Sequence, residues 1–167
     1  MLRPFRARQA SCRRSCVPWA AIIPLATSTR CSPTSSAAVI FVDSNVPMYL
    51  VGAPHPNRDR IAEFLRAHAA SDYVTSAEVY QEIVHRYVAV DRRAAIADAF
   101  RLLDDLVTTV FPIVREDVSV AHTIANEQHA LSARDCLHLA VMERRGVKTA
   151  LTCDTAFALR PGIECVP

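Results

Sequence analysis

The sequence predicts an α/β fold built on a short, mostly parallel sheet, and three observations carry that prediction. Short apolar, β-rich runs alternate with stretches of helical periodicity, the pattern of strand–helix–strand units. Two of the runs, Val39–Val42 and Thr149–Thr152, are closely followed by an aspartate, Asp43 and Asp154. Strand ends on one rim of a parallel sheet are where such proteins build sites. Finally, 167 residues, 51% hydrophobic and 22% charged, suffice for one sizeable core and argue against a second domain.

The elements follow in order. Val39–Val42 reads as a buried strand that leaves Asp43 just past its C-terminal end. Asn57–Ala70 places Ile61, Phe64, Leu65 and His68 at helical spacing, and Tyr73-Val74 makes a second strand. Thr75-Ser76-Ala77-Glu78 has the form of a capping box with Thr75 as N-cap, opening a helix whose face carries Val79, Ile83, Val84 and Tyr87. Asp91 is the expected cap of the next helix, with Ile96, Phe100, Leu103 and Val107 repeating at three and four.

Val110–Val114 reads as a third strand, confined to an edge or a strand end by Pro112. Glu116–Ala130 is a helix turning Val120, Ile124 and Ala121 inward. Ser132-Ala133-Arg134-Asp135 is a second capping-box pattern, opening a helix that stops at Gly146. Thr149–Thr152 and Ile163–Val166 supply the last strands.

Residues 1–38 differ from the rest. They hold six arginines, no acid, three of the six cysteines and four of the ten prolines, with no periodic face. Two domain assignments follow: residues 1–38 as an atypical N-terminal extension, disordered or lying upstream of the true start, and residues 39–167 as the folded domain. Arginine outnumbers lysine 18 to 1, which suits a GC-rich genome where such over-extension arises easily. A secretory signal is the competing reading, but Pro18 and Pro24 interrupt its apolar run, which is too short to span a membrane. From Val39 onward 13 basic residues face 17 acidic ones, so any nucleic-acid contact must use local arginine clusters.

No C-x-x-C pair, H-E-x-x-H, G-x-S-x-G or Walker loop occurs, and three glycines cannot build a phosphate cradle. Asp43-Ser44-Asn45 lacks the second acid of a D-x-D phosphatase. Cys136, Cys153 and Cys165 read as small core residues of a reducing cytoplasm. His138 reads as packed or surface.

Four acids remain as candidates: Asp43, Glu82, Asp135 and Asp154. Each has a plain structural alternative. Asp43 can form a turn or cap the following segment, and Asp154 can start the turn toward Phe157. Asp135 falls at N3 of its helix, where it reaches back to the Ser132 amide. Glu82 can pair with Arg86 on an exposed helix face. Crowded together, however, four carboxylates would repel one another unless a divalent cation neutralised them.

Taken in order, strand–D-S-N, T-S-A-E-V-Y-Q-E-I, S-A-R-D-C-L-H-L-A and L-T-C-D-T-A-F resemble the PIN domain, and most closely its VapC-type toxin branch, over residues 39–167. The resemblance implies a three-layer α/β/α arrangement and a metal-dependent endoribonuclease, the toxin of a type II toxin–antitoxin system. It implies Asp43, Glu82, Asp135 and Asp154 as catalytic ligands of Mg²⁺ or Mn²⁺, RNA as substrate, a cognate antitoxin and a homodimer, with no membrane association. The extension departs from the family pattern. Asp43 and Asp135 are the expected direct ligands, with Glu82 and Asp154 acting through water or on a second ion. Thr152 and Asn45 are expected to support them, and Arg134 or Arg92-Arg93 to meet phosphates. A housekeeping RNA-processing PIN nuclease and a catalytically idle PIN-like binding module are the alternatives.

Overall fold

Five strands pair in the order β3-β2-β1-β4-β5, all parallel, in a computed structural model that describes residues 38–167. They are β1 (Val39–Val42), β2 (Asp72–Ser76), β3 (Thr109–Phe111), β4 (Thr149–Leu151) and β5 (Glu164–Val166). The extension assigned to residues 1–38 lies outside the described residues except for Ala38, whose carbonyl accepts from the Asp72 amide. The chain moves outward from β1 to β2 and β3, then returns across the sheet to β4 and β5. The reversal falls between β1 and β4, so the crevice of this sheet opens at their carboxyl ends.

The central strand has the buried sequence such a position requires. Ile40, Phe41 and Val42 are all buried, because helices cover the sheet on both faces. One packed group of helices is α1 (Asn45–Val51), α2 (Pro56–Ala67), α3 (Ala77–Ala89) and α4 (Ala94–Leu106). The other is the pair α5 (Arg115–Glu127) and α6 (Ala133–Arg145). Among the described residues no helix is long and apolar enough to cross a membrane.

α6 follows its sequence pattern closely. The Ser132 hydroxyl accepts from the Asp135 amide at 3.2 Å while the Asp135 carboxylate accepts from the Ser132 amide at 3.0 Å. Gly146 ends the helix at φ 69°, the left-handed conformation glycine adopts without strain.

Several expectations need correction. Thr75 caps nothing: it lies within β2, fully buried, and donates its hydroxyl to the Val42 carbonyl at 2.8 Å. Ser76 occupies the N-cap position of α3 instead. Asp91 sits in a turn at φ 51°, and Arg93 precedes α4. Val120 faces outward at 39% exposure, whereas Ala121 and Ile124 are buried. His68 is exposed and stacks on Phe64 just beyond the end of α2. Helix α1 had no sequence signal of its own, since Pro47 hides its periodicity while remaining tolerable in a first turn. β3 is an edge strand, as Pro112 requires, but it ends at Phe111, short of the Val110–Val114 reading, because Pro112 has no amide hydrogen to continue the ladder.

An ion pair ties the two helices of the second group together. Arg144 donates from Nε to Asp117 Oδ1 at 2.5 Å and from Nη2 to Oδ2 at 2.8 Å, with a further bond to the Pro112 carbonyl. The Asp117 side chain is buried and also accepts from the Val114 amide. Burial alone would push this carboxyl up, but the Arg144 and Val114 bonds outweigh it and hold it below its ordinary value.

A lowered native value places the stabilisation above the unfolded carboxyl value of about 3.9, and it is lost as pH falls through the lower native value. Urea midpoints of the wild type should therefore drop below about pH 4, and an Asp117→Asn variant should lose that component of the pH dependence. Ile124→Ala should cost about 2–5 kcal/mol, while Val120→Ala should stay within about 0.5 kcal/mol; equal costs in chemical denaturation would contradict the observed orientation of α5.

Candidate active site

The site begins with a carboxylate that the fold forces out of water. Asp43 directly follows β1, its amide donates to the Leu151 carbonyl of β4, and only 5% of the residue is exposed. Its Oδ1 accepts from the Ser44 amide at 2.6 Å, and its Oδ2 accepts from Asn45 Nδ2 at 2.5 Å and Thr152 Oγ1 at 2.7 Å. A carboxylate offers about four acceptor positions, so these three bonds leave one, on Oδ1.

Thr152 is the hub of this network. Its hydroxyl donates to Asp43 while accepting from Asn45 Nδ2 at 2.9 Å and from the Asp154 amide at 3.0 Å. Asn45 in turn accepts from the Cys153 amide at 3.2 Å. The residues after β1 and after β4 are thereby locked together across the crevice. Burial pushes the Asp43 carboxyl up; the Thr152 and Ser44 bonds pull it back, and Glu82 adds a smaller upward push.

A cavity of about 420 Å³ opens here, lined by all four candidate acids together with Arg86, Arg134 and the α1 residues Asn45, Met48 and Tyr49. Their roles differ. Glu82, midway along α3, faces α6, where Arg134 Nη1 and His138 Nε2 each lie 3.4 Å from one of its oxygens. The His138 hydrogen bond is the main cause that holds the Glu82 carboxyl below its ordinary value, with burial opposing and Arg134 assisting. Asp135 lines the cavity but also closes its capping box, so cap and site coexist. Asp154 lines the rim while its Oδ1 accepts from the Ala156 amide, starting the short 3-10 turn Thr155–Leu159. That turn seats the fully buried Phe157.

The tightest group is not the four acids. Ligand atoms of Asp43, Glu82 and His138 all lie within 4.8 Å of one another, while Asp135 and Asp154 stand outside that group. Two carboxylates that close together suit a hard divalent cation, whose preferred ligands are oxygens. Sequence reading passed over His138 because it lacked a paired histidine. Its position one turn after Asp135 was the available signal, since residues three apart share a helix face. Of the arginines expected at phosphates, Arg134 lines the cavity, and Arg92 and Arg93 do not.

Replacing Thr152 by valine removes the hub while keeping the side chain's shape. The Asp43 carboxyl should move further up, as read by NMR titration of the metal-free protein, and stability should fall by about 1–3 kcal/mol. An unchanged Asp43 titration would show that the hydroxyl does not hold the carboxylate.

The comparisons with known proteins agree with this fold. A family model described as "PIN domain" matches residues 40–162. The chain is 44% identical over 128 residues to a protein named VapC ribonuclease from Mycobacterium bovis, an alignment covering 75% of this chain and 98% of that one. Among solved structures, Mycobacterium tuberculosis VapC20, titled a sarcin-ricin loop cleaving toxin, superposes with a TM-score of 0.61 at 24% identity, over 77% of this chain and 99% of that one. VapBC2 from Rickettsia felis, solved bound to a DNA fragment from its promoter, gives a TM-score of 0.61 at 11% identity, over 76% and 96%. At those identities the solved structures speak for the fold alone. The fold, the acid-lined crevice between β1 and β4 and the similarity along the whole domain lead to one assignment: the chain belongs to the PIN domain family, in its VapC-type toxin ribonuclease branch.

Proposed function

We propose that this protein is a metal-dependent endoribonuclease acting as the toxin of a toxin–antitoxin pair, with Mg²⁺ or Mn²⁺ as the cation. The observation that carries the reading is Asp43, a buried carboxylate directed to a cavity that three further acids line. Asp43 and Asp135 are the pair expected from the sequence, but Asp43 and Glu82, whose ligand atoms lie within 4.8 Å of one another, are the direct ligands in this proposal, and Asp135 and Asp154 complete the site from the same cavity. Asp43 has one acceptor position to give, and its three hydrogen-bond donors hold that oxygen in place.

The cation would supply positive charge, turning an acidic pocket into one that accepts a phosphodiester and stabilises charge on its oxygens. The protein's own residues do the rest. Arg134 and Arg86 are the cationic side chains lining the cavity and would meet the phosphates that flank the scissile one. Tyr49, stacked on His55 at 4.7 Å between ring centroids, offers an aromatic wall beside them. An acid left free of the cation would orient the attacking water and take its proton.

The partner follows from the same electrostatics. A basic side chain inserted among the acids would compete with the cation for the same carboxylates, so an extended segment of an antitoxin suffices to silence the site. The Arg134 guanidinium 3.4 Å from Glu82 supports the attraction of such a cation to these acids. A homodimer, a cytoplasmic location and the dispensability of the N-terminal extension belong to this reading. The free Cys136, Cys153 and Cys165 suit a reducing compartment. A shortened chain should begin no later than Ala38, because its carbonyl belongs to the β1–β2 pairing.

The tests are direct. RNA cleavage by the full chain should require Mg²⁺ or Mn²⁺, stop in EDTA, and fall at least 100-fold in Asp43→Asn, the scale on which losing a transition-state charge contact is felt. Undiminished cleavage in EDTA would remove the metal. Expression should arrest growth, co-expression of a cognate antitoxin should restore it, and Asp43→Ala should be harmless. Cleaving protein that is innocuous when expressed alone would replace the toxin by an RNA-processing nuclease.

A further inference from the structure

His138 is fully enclosed in α6, with 1% of its side chain exposed. Its ring lies between two apolar rings, Phe41 of β1 at 5.6 Å and Phe157 of the 3-10 turn at 6.2 Å between centroids. An imidazole in such a slot needs a reason to be there, since leucine or methionine would fill it without carrying two polar atoms into the core. One of those atoms, Nε2, meets Glu82 Oε2 at 3.4 Å; the other, Nδ1, finds no hydrogen-bond partner among the described residues.

That imbalance favours one tautomer. With the proton on Nε2, the ring donates to the Glu82 carboxylate and leaves only a lone pair without a partner. With the proton on Nδ1, or on both nitrogens, a buried N–H would be orphaned, which is the costlier defect. In the first case Nε2 carries a hydrogen and cannot ligate a metal, although it lies within 4.8 Å of ligand atoms of both Asp43 and Glu82.

We propose that His138 is a positioning residue, donating Nε2–H to Glu82 Oε2 so that Glu82 faces the cation site instead of pairing with Arg86 on its own helix. Arg134 holds the other Glu82 oxygen at 3.4 Å. Two side chains one turn apart on α6 thus grip the carboxylate of α3 from both ends, and α6 contributes Asp135 to the cavity from the same turn. The Glu82 carboxylate is the one candidate acid whose own strand or turn does not place it, so an outside grip is what it lacks. The grip comes from a rigid, buried ring, because a flexible donor would have to be ordered at each binding event.

The inference rests on the proposed cation site, and Mn²⁺ alone separates the two. Binding of Mn²⁺ to the full-chain protein, without RNA, is followed by the loss of the free-ion EPR signal for wild type, His138→Leu and His138→Gln. Leucine keeps the apolar slot filled and removes both nitrogens, whereas glutamine can return an N–H near the position of Nε2. His138→Leu should bind Mn²⁺ about 10–100-fold more weakly, the usual cost of losing a group that orients a ligand, and His138→Gln should recover most of it. Thermal melts of the metal-free proteins should show His138→Leu at or above wild type, so lost affinity is not lost folding.

If wild type binds no Mn²⁺, the metal reading itself fails and this proposal falls with it. If wild type binds and His138→Leu binds equally well, or glutamine restores nothing, the metal reading stands and the positioning role is overturned. Pulsed EPR on wild-type protein gives an answer that needs no variant to fold: strong coupling to a directly bound ¹⁴N would make His138 a ligand, and its absence supports the donor role.

Discussion

Burial of the Asp43 carboxylate is the constraint around which this molecule is arranged. A strand in the middle of a parallel sheet has no freedom to be polar, so β1 consists of apolar residues and ends in an acid at the floor of the crevice. Leaving that acid charged and unpaired would cost more than a small domain can tolerate. The chain answers with three donors from two separate segments: Ser44 and Asn45 on one side of the crevice and Thr152 on the other. Those bonds do two things at once, offsetting desolvation and welding the ends of β1 and β4 at the point where the strand order reverses. They only partly succeed, since the carboxyl remains above its ordinary value.

The hydrogen-bond pattern also limits what an amide could do at that position. Asparagine in place of Asp43 would have to point its NH₂ either at the Ser44 amide or at the donors on Oδ2, so one donor would face another. Removing the charge and keeping the network are therefore incompatible at this site. A neutral substitution relieves repulsion with Glu82 but introduces a misfit, and any gain in stability is offset. The arrangement is specific for an acceptor-only group, which is the property a metal ligand also needs.

Much of this was legible in the sequence, and the parts that were not have physical causes. Strand ends followed by acids pointed to Asp43 and Asp154, because a parallel sheet leaves few other places for a polar residue. The Ser132–Asp135 box and Gly146 defined α6 at both ends, since caps depend on local chemistry. Thr75 misled because a capping-box pattern is local, while the decision between cap and strand was tertiary: its hydroxyl found the Val42 carbonyl of the neighbouring strand. Val120 misled because its apolar side chain suits a core position, while the buried face of α5 runs through its smaller neighbour Ala121. The grouping of Glu82 with His138 was invisible because 56 residues separate them and neither carries a signature alone.

The two halves of the site differ in how they are held. Asp43 is fixed by backbone and short side chains within two strand ends, a rigid mounting with little entropy to lose. Glu82 projects from the middle of a helix on a longer side chain and depends on α6 for its direction. α6 is itself pinned, by the Ser132 box at one end and by Arg144 on Asp117 of α5 near the other. Any displacement of α6 would therefore move Asp135, Arg134 and His138 together and release Glu82, while leaving Asp43 in place. A cation held between Asp43 and Glu82 would then depend on the seating of this one helix more than on the sheet, because Asp43 is held by its own network while Glu82 takes its direction from α6.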